Sequence, residues 1–212
     1  MTPPEDKPKC PARAQLNSFL SERNQYPTRS IEIDAAIRTT FERKVAVLAL
    51  DMCGFSKLTA QYGIIHFLSM IHQMEQAARP AVVGNGGQVI KQEADNLLAI
   101  FSQPAQALEA ALDIFRAFES MNAVLPKERD IYGSIGIGYG DILVIGEEDV
   151  FGNEVNEACK LGEDLAQKME ILLTPAAHAA LPPDAYACSP DSFLISGIDL
   201  QCFRFQRCEF PR

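Results

Sequence analysis

The chain lacks any apolar run approaching the ~18–20 residues that a membrane span needs. Its start, MTPPEDKPKCPAR, lacks the apolar core of a signal peptide. It also lacks a basic excess: 19 Lys and Arg stand against 28 Asp and Glu, a net charge of -9 that argues against nucleic acid as the main partner. A nucleotide is not excluded, because a bound metal would offset its charge locally. The six cysteines (Cys10, Cys53, Cys159, Cys188, Cys202, Cys208) show no CxxC pair and no Cys/His metal spacing. Free thiols in apolar surroundings behave as small hydrophobes, and a reduced, cytoplasmic compartment is the simpler expectation. There is no internal repeat. What remains is a globular composition, 47% hydrophobic and 22% charged over 212 residues, enough for one domain of ordinary size plus a tail.

The chain is organised around VAVLALDMCGFS, Val45 to Ser56. Val45–Leu50 is apolar at every position, so it reads as a strand covered on both faces. A carboxylate at the end of such a strand is costly to bury unpaired. The loop Met52-Cys53-Gly54-Phe55 then offers backbone N–H groups at a helix start, which suits an anion. Two readings of Asp51 follow: a metal ligand beside a phosphate-holding loop, or a helix-capping aspartate.

Ahead of this stretch, residues 1–29 read as a tail with a short amphipathic helix carrying Leu16, Phe19 and Leu20, and 30–43 as a lead-in helix with Ile33, Ile37 and Phe41 at helical spacing. After it, Leu58, Tyr62, Ile65, Leu68, Ile71 and Met74 mark a long helix ending before Pro80. Its His66 and His72 read as solvated. Gln88–Gln92 and Leu97–Phe101 form a hairpin with the acidic tip Glu93-Ala94-Asp95-Asn96. Pro104 opens a helix facing the core through Ala107, Leu108, Ala111, Leu112, Phe115 and Phe118. In strand Gly133–Tyr139, Ile135, Ile137 and Tyr139 alternate with small residues, and Asp141–Gly146 continues or pairs with it. Asn153 is placed to cap a helix running to about Gln167 over Val155, Ala158, Leu161 and Leu165. Strand Ile171–Leu173, a short helix from Pro175, and strands near Phe193–Ile195 and Cys202–Gln206 follow. Hairpins mixed with helical crossovers predict an α+β fold, helices on a mostly antiparallel sheet.

The polar residues gather in three places. Asp51 and Asp95 would meet if the hairpin pairs beside the first strand; two such carboxylates repel and favour a hard cation, Mg²⁺ or Mn²⁺. In DVFGNEVNEACK (Asp149–Lys160), Asn156 and Lys160 share a helix face. By pattern alone they read rather as a solvated face, with Lys160 pairing to Asp164. Lys91 lies four residues before Asp95, either facing the core or turned outward.

Together LALDMCGFSKLT, IKQEADNLLAIF, SIGIGYGDIL and DVFGNEVNEACKL, in that order, resemble the catalytic domain of the class III nucleotidyl cyclases, from about Lys44 to Leu181. The resemblance implies a ferredoxin-like catalytic domain over 44–212. It implies an adenylate cyclase, a lyase converting ATP to cyclic AMP and pyrophosphate, in cyclic-nucleotide signalling. Asp51, Met52 and Asp95 match the positions holding two Mg²⁺ or Mn²⁺ ions per site. The loop Cys53, Gly54, Phe55 and Ser56 matches the one cradling the β- and γ-phosphates. Lys91 and Asp149 fall at the adenine-reading positions, Asn156 at the ribose-orienting asparagine, and Lys160 where the family usually carries a transition-state arginine. Ala94 replaces a usual Gly, Ser196 lies near the place of a phosphate-binding lysine for which Arg204 or Arg207 are candidate substitutes, and the segment between Gly140 and Asp149 is short. Because metal and base residues come from different chains in this family, a symmetric homodimer with its sites at the interface is implied. The alternative is a cyclase-like module that binds nucleotide or a partner without turnover. Diguanylate synthesis has little support, since the GGDEF signature is missing.

Overall fold

A computed structural model describes residues 11–54, 60–195 and 198–206. The expectations placed on residues 1–10, Phe55, Ser56, Leu58, Ser196 and Arg207 lie outside the described residues.

Strand β1 (Glu42–Met52) lies inside the sheet and is buried on both faces, as its apolar run requires. Ala46, Leu48, Leu50 and Met52 enter one apolar cluster, while Val47 and Ala49 enter another on the opposite face. β1 pairs antiparallel with β3 (Asn96–Phe101) on one side and β4 (Gly133–Ile145) on the other. Among the described residues the sheet runs β2 (Gln88–Glu93), β3, β1, β4, β6 (Ile171–Leu173), β8 (Ile198–Phe205) and β7 (Cys188–Ile195), with β5 (Asp149–Phe151) paired to the end of β4. Only β4 and β6 pair in parallel among these; the other pairings are antiparallel, and the α+β expectation holds.

Helices α1 (Pro11–Gln25) and α2 (Ser30–Phe41) pack together at the far end of β4, where Leu16, Ile33, Ile37 and Phe41 enclose Ile145. Helices α3 (Ile64–Gly84) and α4 (Pro104–Asn122) cover one face of the sheet. Helix α5 (Asn153–Lys160), with a π turn over Leu161–Leu165, covers the other. The short α6 (Pro175–Ala179) follows β6, capped by the Thr174 hydroxyl accepting from the Ala177 N–H at 3.2 Å.

Four local expectations need correcting. α3 does not stop before Pro80 but runs through it to Gly84. Pro80 is exposed, so the carbonyl it leaves unpaired faces water, while Ala78 and Val82 are fully buried around it. That packing outweighs a proline penalty of about 3 kcal/mol. The buried stripe of α3 is Phe67, Met70, Met74, Ala78 and Val82; of the predicted positions Met74 is buried and Ile71 packs against the core, while Ile65 and Leu68 are exposed. α5 ends at Lys160 in a π turn rather than continuing to Gln167, and its N-cap is Gly152, with the Asn153 side chain donating to Glu157 at 2.6 Å instead of capping.

The small residues of β4 explain how α5 approaches so closely. A Cβ at Gly138 would stand 2.5 Å from the Glu154 carbonyl oxygen, and one at Gly162 would stand 2.7 Å from that of Ala49. A Cβ at Gly136 would collide with the Ala158 carbonyl. Backbone therefore lies on backbone along this lane, and helix position is fixed without intervening side chains. We expect Gly136→Ala to cost about 1–3 kcal/mol through overpacking, read as a lower urea midpoint with unchanged m-value. In contrast, Ala94 at the β2–β3 tip has φ 51°, a left-handed conformation. Ala94→Gly should relieve about 1 kcal/mol of strain and raise the same midpoint; a fall would show that the tip is not strained.

Candidate active site

The site begins where β1 ends. Asp51 is in register with Asn96, and the Met52 N–H donates to the Asp95 carbonyl at 3.1 Å, which draws the hairpin tip over the strand end. Asp51 and Asp95 are thereby brought together, as expected. Burial lifts the half-buried Asp51 carboxyl to about 7, and the charges of Asp95, Glu163 and Asp164 add to the rise. Glu163 is pushed up as well, by burial and by Asp164. Glu163 was not singled out from the sequence, and Asp164 only as an ion partner of Lys160. They sit in the π turn, whose phase a regular helical periodicity does not reveal.

Among the described residues, no three His, Cys, Asp or Glu side chains form a ready-made metal group. The donors nevertheless fit a hard divalent ion that keeps part of its water shell, since such an ion needs only one or two carboxylates. Asn96 Oδ1, beside Asp51 in the pairing register, is a buried acceptor without a hydrogen-bond partner, a second sign that this corner favours positive charge. The Met52 side chain is packed in the core, so only its main chain remains for a cation.

The other pair forms at β2 and β5. Lys91 Nζ lies 3.2 Å from Asp149 Oδ1 and 3.6 Å from Glu93. Asp149 also accepts from the Val150 N–H at 3.0 Å and from Arg13 Nη2 at 2.9 Å. Burial pushes the Asp149 carboxyl up, but the hydrogen bonds from Arg13 and Lys91 outweigh it and hold it below its ordinary value. Lys91 and Asp149 thus meet as the sequence implied, with Lys91 on the edge strand β2 and its side chain partly exposed rather than in the core. Arg13 was missed because its segment reads as a tail. Lys91 borders two hollows: a small one walled by Asn96, Leu98, Cys159 and Glu163, of about 150 Å³, and a more open groove with Ile71, Glu75, Arg79 and Ala94, of about 570 Å³. No hydrogen bond or ion pair among the described residues joins Asp51 or Asp95 to Lys91 or Asp149.

The remaining candidates divide. Asn156 is exposed on α5, and Lys160 is half-buried without an ion pair to any described residue, because the π turn breaks the helical spacing to Asp164. The Cys53 N–H is already spent on the Tyr132 carbonyl at 2.8 Å, so the expected phosphate contact from that amide is corrected; Gly54, exposed at φ 91°, is what the described loop offers. Burial raises the Cys53 thiol, which makes it a poor redox sensor. Arg204 is committed to Glu170 and to Asp191 at 2.5 Å, so it does not replace a phosphate lysine. Lys168, stacked 3.0 Å over the Tyr132 ring, instead faces the cleft that contains Cys53 and Gly54.

No family model matches the chain. It is 29% identical over 136 residues to a provisionally named adenylate cyclase 3 of Rhizobium meliloti, covering 64% of this chain and 23% of that protein. It is 27% identical over 136 residues to an adenylate cyclase of Streptomyces coelicolor, covering 64% of this chain and 33% of that protein. The chain therefore matches about a quarter to a third of the length of these relatives. Among solved structures, an adenylate/guanylate cyclase/hydrolase from Silicibacter pomeroyi superposes with a TM-score of 0.66 at 26% identity, covering 77% of this chain and 96% of that one.

The crowding at Asp51 gives a measurable consequence. A carboxyl raised in the folded state binds its proton more tightly than in the unfolded chain, so its contribution to metal-free stability falls as pH climbs from the ordinary carboxylate range through about 7. Mn²⁺ binds the ionised form, so it should raise the melting temperature more at about pH 8 than at about pH 5.5. Asp95→Ala should abolish most of that difference; an equal Mn²⁺ shift at both pH values would contradict this reading of the acidic pair.

Proposed function

The chain is a relative of the class III adenylyl and guanylyl cyclases with their catalytic-domain fold, and from that premise we propose that it is an adenylyl cyclase acting as a homodimer. One observation carries the proposal: a single chain forms both an acidic pair, Asp51 with Asp95, and a base-reading pair, Lys91 with Asp149, and leaves the two unconnected. A second copy related by a two-fold axis would face one pair with the other twice over.

In this reading Asp51 and Asp95 hold the divalent ions, Mg²⁺ or Mn²⁺. When bound, such ions acidify a hydroxyl and offset phosphate charge. Asp149 accepts a hydrogen bond from an exocyclic amino group, and Lys91 donates to an acceptor on the ring edge, a pattern that fits adenine. Asn156, exposed on the rigidly seated α5, positions the ribose. The 3′-oxygen loses its proton, bonds to the α-phosphorus, and the bond to the β-phosphate oxygen breaks to release pyrophosphate. Lys160, with no ion pair to neutralise it, meets the charge that develops on the α-phosphate. Gly54 and Lys168 face the terminal phosphates.

A second reading, nucleotide binding without turnover, is favoured by the spent Cys53 amide and the commitment of Arg204 to acidic partners. One assay separates the two. Purified protein with Mn²⁺ should convert ATP to cyclic AMP, with GTP, CTP and UTP poorer. Lys160→Ala should lower kcat about a hundredfold, and Lys160→Arg should match or exceed the natural chain, because the planar fork suits a phosphate better. Calorimetric ATP binding with no cyclic product from a confirmed dimer would establish the second reading instead.

A further inference from the structure

The base-reading carboxylate has a partner that its β-strand neighbourhood does not supply. Arg13, in the first turn of α1, reaches from residue 13 to residue 149 and donates from Nη2 to Asp149 Oδ2 at 2.9 Å. Its guanidinium is fixed from two other sides, by Glu148 at 3.7 Å and by the Phe151 ring, whose centroid lies 5.5 Å away. All three contacts come from β5 and its turn. α1 is itself anchored, since Leu16 is buried with Ile33, Ile37, Phe41 and Ile145.

The lone pairs of Asp149 show what Arg13 changes. A carboxylate has about four acceptor sites. Oδ1 is taken by the Val150 N–H at 3.0 Å and by Lys91 at 3.2 Å, and Oδ2 takes Arg13 at 2.9 Å. One site on Oδ2 remains, enough for a single N–H donor. Without Arg13, no other described residue holds Oδ2, and the carboxylate is free to turn both oxygens onto Lys91. That closed ion pair would withdraw the acceptor and the donor from a base at once.

We infer that Arg13 is a specificity-determining positioning residue, which keeps Asp149 open as an oriented acceptor for an exocyclic amino group of the purine 6-position. The inference rests on the reading of Lys91 and Asp149 as base-reading residues. Arg13 acts through Asp149 and does not touch the reacting atoms. An oxygen at the same purine position, as in guanine, meets a fixed acceptor and is rejected. The helix ahead of the sheet is thus part of base selection, not a detachable lead-in.

The test compares binding of non-cleavable ATP and GTP analogues by calorimetry in the full-length chain, with Mg²⁺ present. The natural chain should prefer the adenine analogue. Arg13→Ala should shrink that preference about tenfold, near 1.4 kcal/mol, while Arg13→Lys, which keeps the charge but loses the fork, should recover part of it. Arg23→Ala, which removes only the exposed α1–α2 ion pair, should leave the preference unchanged. Partial rescue by Arg13→Lys separates positioning from undocking of α1. If Arg13→Ala discriminates as well as the natural chain, the role assigned to Arg13 is overturned and the cyclase reading stands. If the natural chain binds neither analogue, or binds both equally, the base-reading assignment fails and the inference falls with it.

Discussion

A carboxylate that cannot comfortably ionise is the constraint on which this structure turns. Asp51 ends a strand buried on both faces, and Asp95, Glu163 and Asp164 all add negative charge around it. Three separate pieces of backbone deliver those groups: the end of β1, the tip of the β2–β3 hairpin and the π turn after α5. Among the described residues no cation pairs with Asp51 or Asp95, and the buried Asn96 Oδ1 adds another unpaired acceptor. Either a proton or a cation must settle it. On the proposed reading, a divalent ion that also takes phosphate oxygens would resolve the repulsion at neutral pH.

That corner keeps its shape through the way α5 is seated. Its backbone lies on the glycines of β4 with no side chain between, so the exposed Asn156 and the half-buried Lys160 inherit the rigidity of the sheet. The same strand continues to the β5 hairpin, which carries Asp149. One continuous strand therefore positions Asn156, Lys160 and Asp149, while its neighbour β1 carries the acidic pair's first member.

Much of this was legible in the sequence, for identifiable reasons. The uniform apolar run of Val45–Leu50 required a doubly covered strand, and the alternation of Ile135, Ile137 and Tyr139 with small residues required a one-sided lane. Both follow from steric rules acting over a few residues. The resemblance then named Asp51, Asp95, Lys91 and Asp149, and the fold brought each pair together. What escaped the sequence depended on longer-range packing. Ile65 and Leu68 carry the same hydrophobic signal as the residues that are buried, and only the tilt of α3 decides between them. Pro80 is tolerated because Ala78 and Val82 are held by the core. The π turn hides Glu163 and Asp164 from a helical count. Arg13 stands 136 residues from its partner, in a segment with no local sign of a site. The spent amide of Cys53 depends on Tyr132, across the sheet end, and no local pattern announces it.

The central claim is that each chain carries two half-sites that only a second chain can complete. Mixing two inactive variants tests it most directly: Asp51→Asn, which disables the acidic half, and Lys91→Ala combined with Asn156→Ala, which disables the base- and ribose-facing half. Each alone should form no cyclic AMP. The heterodimer of the two retains one intact composite site, so the mixture should regain up to about a quarter of the natural activity, as random pairing places one intact site in half of the dimers. Persistent inactivity in a mixture shown to contain heterodimers would contradict the shared-site account.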